Sequence, residues 1–524
     1  VDGLDSVVVP GERSSPVVTA ATTVWRVVAP GVAGSLLLAA TVPPSPRALP
    51  WAWRPTLPGF PERPGPVVAA VCFALAITGL ALAWVRLLAA VRPERGPRPA
   101  RIRLVVVALA AWWLPLAAAP PLLSNDVYSY VAQGTLAARG LDPTMAAPVR
   151  LGVDPAFLQV DPIWSRTPSP YGPTATVLTR AAVEVSGQGP VRSEFVLRAM
   201  VAAAVVVAAG VLASLAGRLG RDPAQALALG VANPIVTVHL IGGIHNEAWM
   251  AAAALGGLLA WRRDRRVLAF ALCTLAAGVK LTGLAAVVAL GWAWRPGPAG
   301  ALRRAVDAAA AVAGSLAVLV VAGAAVGVGP RWITNVSNTG AVLDTFAPVT
   351  LAGRVIGAAI GAEDGAVAVV RFAGMAAGGA LAWWALVRLP ARPARLEHVA
   401  AVVLAAGTAA GPVLWPWYLA PLALLAGLVV PARHRPAVVV LSVGAVLAVW
   451  PLGVDTEVDL GVVGPLLQLG ALAAVASTAT WADRRWSTRV PGRPVWAGPR
   501  FSRRVSAIPV DAVRRAPPPS MPPR

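Results

Sequence analysis

Apolar runs close to 20 residues long recur along nearly the whole chain, and short arginine-rich stretches punctuate them. A helix rises about 1.5 Å per residue, so each run matches the roughly 30 Å of hydrocarbon in a bilayer. This pattern predicts an all-α fold, a polytopic transmembrane helical bundle. The composition agrees: 57% of the residues are hydrophobic and 13% charged, with a mean hydropathy of +0.67, whereas a soluble domain is about a quarter charged. The net charge of +21 would suggest nucleic acid in a soluble protein. Here the arginines sit mainly in short loops between apolar runs, as in cytoplasmic loops. Nucleic acid is therefore not an expected partner; the bilayer is, and anionic headgroups could meet these loops.

The runs place about 13–14 membrane segments, near 24–42, 66–88, 102–123, 191–216, 224–241, 247–261, 267–278, 281–294, 305–328, 365–387, 399–414, 419–430, 437–450 and 461–481. Arginine clusters at 92–103, 218–221, 262–266, 295–304, 388–395, 433–435 and 484–485 are assigned to the cytoplasmic side. The clusters at 262–266 and 295–304 must then share one face, although a single apolar run separates them. That run has to cross twice, or enter and return, and Gly278 and Gly283 flank Lys280 at its middle. The stretch 346–361, with Arg354 inside it, reads as an interfacial or re-entrant helix. The expected layout is a cytoplasmic N-terminal segment over 1–23, a membrane domain over 24–485 with a large outer loop at 124–190, and a disordered Pro/Arg-rich cytoplasmic tail over 486–524. No cleavable signal peptide is read; the first run is taken as a retained helix. Cys72 and Cys273 lie within apolar runs and read as small core hydrophobes.

One stretch cannot be explained by apolar composition. Between Asn125 and Gln133, nine residues hold Asp126, Tyr128, Tyr130 and two carboxamides. Asp126 is a candidate general base, or else the N-cap of a helix starting at Val127. Asn125, Tyr128, Tyr130 and Gln133 are candidate substrate-binding neighbours. Further along this loop of roughly 65 residues, long enough to be functional or partly helical, Asp142, Asp154 and Asp161 each precede proline and serve as turn formers. Asp142 and Asp161, with Trp164 and Tyr171, also suit a sugar, for which they offer acceptors and stacking faces. His245, Asn246 and Glu247 form a polar helix start that could hydrogen-bond sugar or phosphate. Lys280 is the only lysine in the chain and stands in an apolar run. A charge at that depth needs a partner or a pathway, and a lipid-linked phosphate is one; Arg331 and Arg354 are weaker candidates for it. Trp417 and Tyr418, in Trp415-Pro416-Trp417-Tyr418, are either an aromatic belt or a groove wall. No metal site and no cofactor are expected, and no Gly-rich nucleotide loop is visible.

These residues together carry a resemblance. Ser124–Gly134, Ala138–Pro143, Val160–Trp164, Pro168–Pro173, Gly242–Glu247, Val279–Gly283 and Trp415–Tyr418 resemble the motifs of actinobacterial polyprenol-phosphate-mannose-dependent α(1→6)-mannosyltransferases, over roughly residues 20–485. The resemblance implies a GT-C fold, with an acidic residue of the first large outer loop, here Asp126, as the catalytic group. It also implies polyprenyl-phosphate-mannose as donor, a mannan or lipomannan acceptor, an inverting reaction, and a plasma-membrane enzyme whose site faces outward. Where the family often has Asp after His-Asn, this chain has Glu247. The competing readings are a transferase of the same fold for arabinose, glucose or a protein acceptor, and a lipid-linked-sugar transporter, to which an intramembrane lysine and interrupted helices are also suited.

Overall fold

The computed structural model describes residues 16–41, 65–295, 300–343, 345–388, 396–449 and 463–487. The expected tail, most of the expected N-terminal segment and the acidic stretch 455–459 lie outside the described residues. Two compact units divide the chain, Val1–Ala482 and Asp483–Arg524, and every element that shapes the site belongs to the first. Among the described residues the structure is helical, with no strand, and six helices are long and apolar enough to cross a membrane. This is the all-α polytopic architecture that the hydropathy pattern predicts.

Three helices precede the polar loop. These are α1 (Pro16–Thr41), α2 (Pro66–Ala90) and α3 (Arg98–Ala118), and α1 packs on both of the others. The apolar run continues to Leu123, but α3 stops at Ala118, because Pro120 and Pro121 cannot continue the helical hydrogen-bond ladder. The loop is itself largely helical: α4 (Asp126–Ala138), α5 (Pro155–Leu158), α6 (Pro162–Ser165) and α7 (Pro173–Val185). Asp154 and Asp161 cap the two short helices through Ala156 N–H and Ile163 N–H, and a proline opens each at its first position, where a missing N–H costs nothing.

The long α8 (Pro190–Arg218) leads to α9 (Pro223–Gly230). The hydropathy predicts a single span over 224–241, but the chain turns at Asn233-Pro234. The Asn233 carboxamide accepts from Ile235 N–H and donates to Ser442 Oγ, and the chain re-enters as a π-helix over Val236–Gly242. Proline disfavours helical geometry in the residue before it, and Asn bonds readily to its own backbone.

Next come α10 (Glu247–Arg262) and α11 (Arg266–Val279), which pack together. Lys280 is extended, with φ −150° and ψ 138°. It separates α11 from the turn Leu281–Gly283 and α12 (Leu284–Trp292). The run that had to turn in its middle does so at the lysine. The remaining helices are α13 (Ala301–Ala325), α14 (Trp332–Asn335), α15 (Pro348–Ile360), α16 (Glu363–Arg388), α17 (Leu396–Ala410), α18 (Ala420–Val429), α19 (Arg435–Ala448) and α20 (Val463–Ser487).

Arginine-rich ends meet one another. Arg101 pairs with Asp222 at 2.8 Å, Arg262 with Glu397 at 2.6 Å, and Arg435 reaches Gln225. In α3, α10, α11 and α17 these arginine-bearing or arginine-paired ends are opposite the ends that lead to the site residues.

One close approach sets the position of the loop against the lysine turn. A Cβ on Gly172 would lie 2.5 Å from the carbonyl oxygen of Gly278. Gly172→Ala is expected to force the two segments apart, at about 1–3 kcal/mol in stability, with a loss of activity from the displaced Tyr171. Thermal unfolding in detergent and a transfer assay on the same preparation check both halves.

Candidate active site

Asp126 is the first residue of α4. It is not the N-cap: Asn125 occupies that position, and Ser124 Oγ accepts the Asp126 N–H at 3.1 Å. The carboxylate is therefore not spent on closing its own helix. It lies beside a cavity of about 190 Å³, and Ser129, Gln133, Trp164, Tyr171, Lys280 and Tyr418 are among the other residues of the wall. Asp126, Ser129 and Gln133 are spaced three and four apart, so a single face of α4 supplies all three.

The lysine arrives from a different part of the chain. Its Nζ lies 2.5 Å from Glu247 Oε1 and 3.5 Å from the centre of the Tyr418 ring. Glu247, the first residue of α10, is 1% exposed, so the ammonium carries the compensating charge for a buried carboxylate. The paired arrangement supplies what an intramembrane lysine requires and leaves one face of the ammonium on the cavity wall. The partner that sequence reasoning sought outside the protein lies within it.

Burial, and then the neighbouring Glu247 charge, push the Asp126 carboxyl up to about 7; Asp161 adds to the rise, while Lys280 and a hydrogen bond from Trp164 oppose it. A carboxyl in that range exchanges a proton near neutrality, as a general base must. His245, between the π-helix and α10, points Nδ1 at Asp126 Oδ2 from 3.6 Å.

The family model described as "Alpha-(1->6)-mannopyranosyltransferase, N-terminal domain" matches residues 27–296, the part that carries Asp126, Glu247 and Lys280. The chain belongs to that family. It is an enzyme, a mannosyltransferase. A protein of Mycolicibacterium smegmatis named "Probable alpha-(1->6)-mannopyranosyltransferase" is 33% identical over 382 residues, 65% of this chain and 67% of its own length. An alpha-(1->6)-mannopyranosyltransferase of Mycobacterium tuberculosis is 30% identical over 476 residues, covering 77% and 78%. Alpha-(1->6)-mannopyranosyltransferase A of Corynebacterium glutamicum is 32% identical over 353 residues, covering 63% and 71%. No solved structure matches. Membership in a family of enzymes leaves the transporter reading without support.

The remaining candidate residues of the mannosyltransferase fall into two groups around the cavity. His245, Asn246, Glu247 and Trp417 are buried; Glu247 backs the wall through Lys280, and Trp417 with His245 backs it through Trp415. Trp417 stacks on His245 at 4.1 Å between ring centres and is buried, so it is an interior residue and not part of an interfacial belt. Tyr130 is buried against Tyr171 in a T-shaped contact at 5.6 Å. Asn125 donates to Asp161 Oδ2 at 3.3 Å, which ties the start of α4 to the cap of α6.

Tyr128 and Asp142 do not line the cavity. Tyr128 is buried in the protein interior. Asp142 accepts from Thr144 and from Gly329 N–H at 2.8 Å, so it holds a turn and tethers the segment after α13. Arg331 and Arg354 are also absent from the wall, and Arg354 pairs with Glu363 at 3.1 Å.

Sequence reasoning missed Ser129, Thr282 and the wall formed by Gly407, Thr408 and Gly411–Val413. The helical spacing from Asp126 could have found Ser129. In the apolar run of α17 the last turn is marked only by Gly407-Thr408, a weak signal. Among the described residues, no three His, Cys, Asp or Glu side chains are grouped to hold a metal ion.

Proposed function

We propose that this mannosyltransferase transfers mannose from polyprenyl-phosphate-mannose to the 6-hydroxyl of a mannan or lipomannan acceptor. The transfer takes place on the outer face of the plasma membrane and inverts the anomeric centre. The observation that carries the reading is that Asp126 and Lys280, from helices far apart in the chain, border one cavity. Asp126 takes the proton of the acceptor hydroxyl as its oxygen bonds to the sugar's anomeric carbon. The bond from that carbon to the phosphate oxygen breaks, and its electron pair leaves with the lipid phosphate. Lys280 meets the charge that grows there. A phosphate is already a good leaving group, so the reaction on this logic asks for one base and one cation, with no metal or cofactor. The aromatic wall of Trp164, Tyr171 and Tyr418 offers faces for a sugar. The cluster of arginines at the opposite helix ends supports the outward orientation.

The deciding experiment supplies purified protein with radiolabelled mannosyl-, arabinosyl- and glucosyl-phosphopolyprenol, together with an oligomannoside acceptor. Transfer of mannose alone, into a product cleaved by an α-1,6-mannosidase, is the expected result. Transfer from arabinosyl or glucosyl donor in its place assigns a different sugar, and transfer from a nucleotide sugar without lipid donor overturns the donor class.

The sign of the pH dependence follows. The base form of Asp126 is lost as pH falls through its raised pKa of about 7. The profile of kcat/KM is expected to climb with a slope of one up to about pH 7 and then level off, with Asp126 setting the acid limb. A limb centred near pH 4 would show a carboxylate without that environment.

A further inference from the structure

His245 is fully buried, and stacked aromatic rings clamp it. Trp417 lies on it with 13° between the planes, and Trp415 lies on Trp417 at 5.3 Å and 3°. Trp415 borders the cavity, while Trp417 and His245 form the layers behind it. His239, from the π-helix, stands 6.3 Å from His245 and 5.7 Å from Trp417. A stack of this kind fixes the plane of the imidazole, and in that plane Nδ1 is 3.6 Å from Asp126 Oδ2.

The backbone supports the same placement. Ile244 has φ +58° and Leu123 has φ +63°, a region that a β-branched residue such as Ile244 adopts rarely. Leu122 N–H donates to Gly242 O at 3.0 Å, which ties the segment before Asp126 to the segment before His245. Local strain of this kind persists where the surrounding structure over-determines it, and it concentrates at functional sites.

Among the described residues neither ring nitrogen of His245 has a hydrogen-bond partner. At 3.6 Å the approach to Asp126 is longer than a hydrogen bond, and contacts of this type tighten when substrate fills a site. Burial first, then His239 and Lys280, push the imidazole well below its ordinary pKa. Together with Asp126 these are the titratable groups that face it. The ring is therefore neutral and carries one proton, which either nitrogen can hold.

We propose that His245 is a positioning residue for the transfer: with its proton on Nδ1, it holds the Asp126 carboxylate in the rotamer that faces the acceptor hydroxyl, and the Trp415–Trp417 stack braces it. The inference rests on the reading of Asp126 as the base. The Nδ1 proton stays on the histidine throughout; the proton that moves goes from acceptor to Asp126.

The test compares His245→Asn, whose amide nitrogen can take the place of Nδ1, with His245→Leu, of similar size but without a donor. His245→Phe keeps the stack on Trp417 and replaces the Leu form if that does not accumulate. Purified full-length variants are assayed with mannosyl-phosphopolyprenol and oligomannoside. The expected result is a kcat at least about tenfold lower for Leu or Phe, with KM for both substrates changed by no more than about twofold. Asn is expected to stay within about threefold of the parent enzyme. The acid limb of the pH profile should move upward in the Leu or Phe form, because the carboxylate has lost a donor, and stay in place for Asn.

A Leu or Phe form with unaltered kcat overturns the proposal, as does an Asn form as impaired as Leu with an unmoved limb, which is the signature of packing alone. Asp126→Asn in the same assay separates the two readings. If it is inactive while Leu is active, only the positioning role falls; if it is active, the base assignment falls and the positioning role with it.

Discussion

Asp126→Asn is expected to lower mannose transfer by about 10²–10⁴-fold while the amount of protein in the membrane stays unchanged. The substitution is nearly isosteric. Because Asp126 is not the residue that caps α4, a carboxamide there leaves the helix start intact: the Ser124 hydroxyl still accepts the backbone N–H of residue 126. What is lost is the only atom set on that face of α4 able to accept a proton near neutrality. Ser129 and Gln133, its neighbours on the same face, have no basic group to substitute for it. Immunoblotting of membranes together with radiolabel transfer measures both quantities. Near-normal transfer by the Asn form would remove Asp126 from the chemistry.

Lys280→Met is expected to lose both stability and activity, for separable reasons. Glu247 is buried, and removal of its ammonium leaves an uncompensated carboxylate, at about 3–5 kcal/mol. The same change removes the cation that faces the departing phosphate, which is worth about 10²–10³ in rate by analogy with other charge-stabilising groups. The double variant Lys280→Met/Glu247→Gln removes the orphaned charge. Its melting temperature in detergent is expected to return most of the way to that of the parent protein, while transfer stays low and the apparent affinity for lipid donor stays reduced by more than that for acceptor. Recovery of activity together with stability would make the pair a structural brace, with no part in meeting the phosphate.

The separation between these two effects shows why the site was only partly legible from residues. Asp126 stands out because it is a carboxylate closely followed by two phenols in an apolar chain, and Lys280 because it is the single lysine. Both signals are local in sequence. The ion pair with Glu247, 33 residues away, is not, since two helices must pack before the charges meet. Trp417 reads from its motif as either a belt residue or a groove wall, and only its burial and the stack on His245 show it to be interior. The last turn of α17 contributes wall residues whose only polar side chain is one threonine hydroxyl, Thr408.

The sequence by itself determined that this is a helical membrane protein and placed its break at Lys280, because a bilayer imposes length and polarity on each segment independently of its neighbours. The motifs pointed to the family in the same way, since they are short runs of adjacent residues. Tertiary structure alone decided which carboxylate neutralises the lysine and which ring faces Asp126. Those outcomes depend on distances of a few ångströms between side chains from different helices, and such distances are set by how the helices pack.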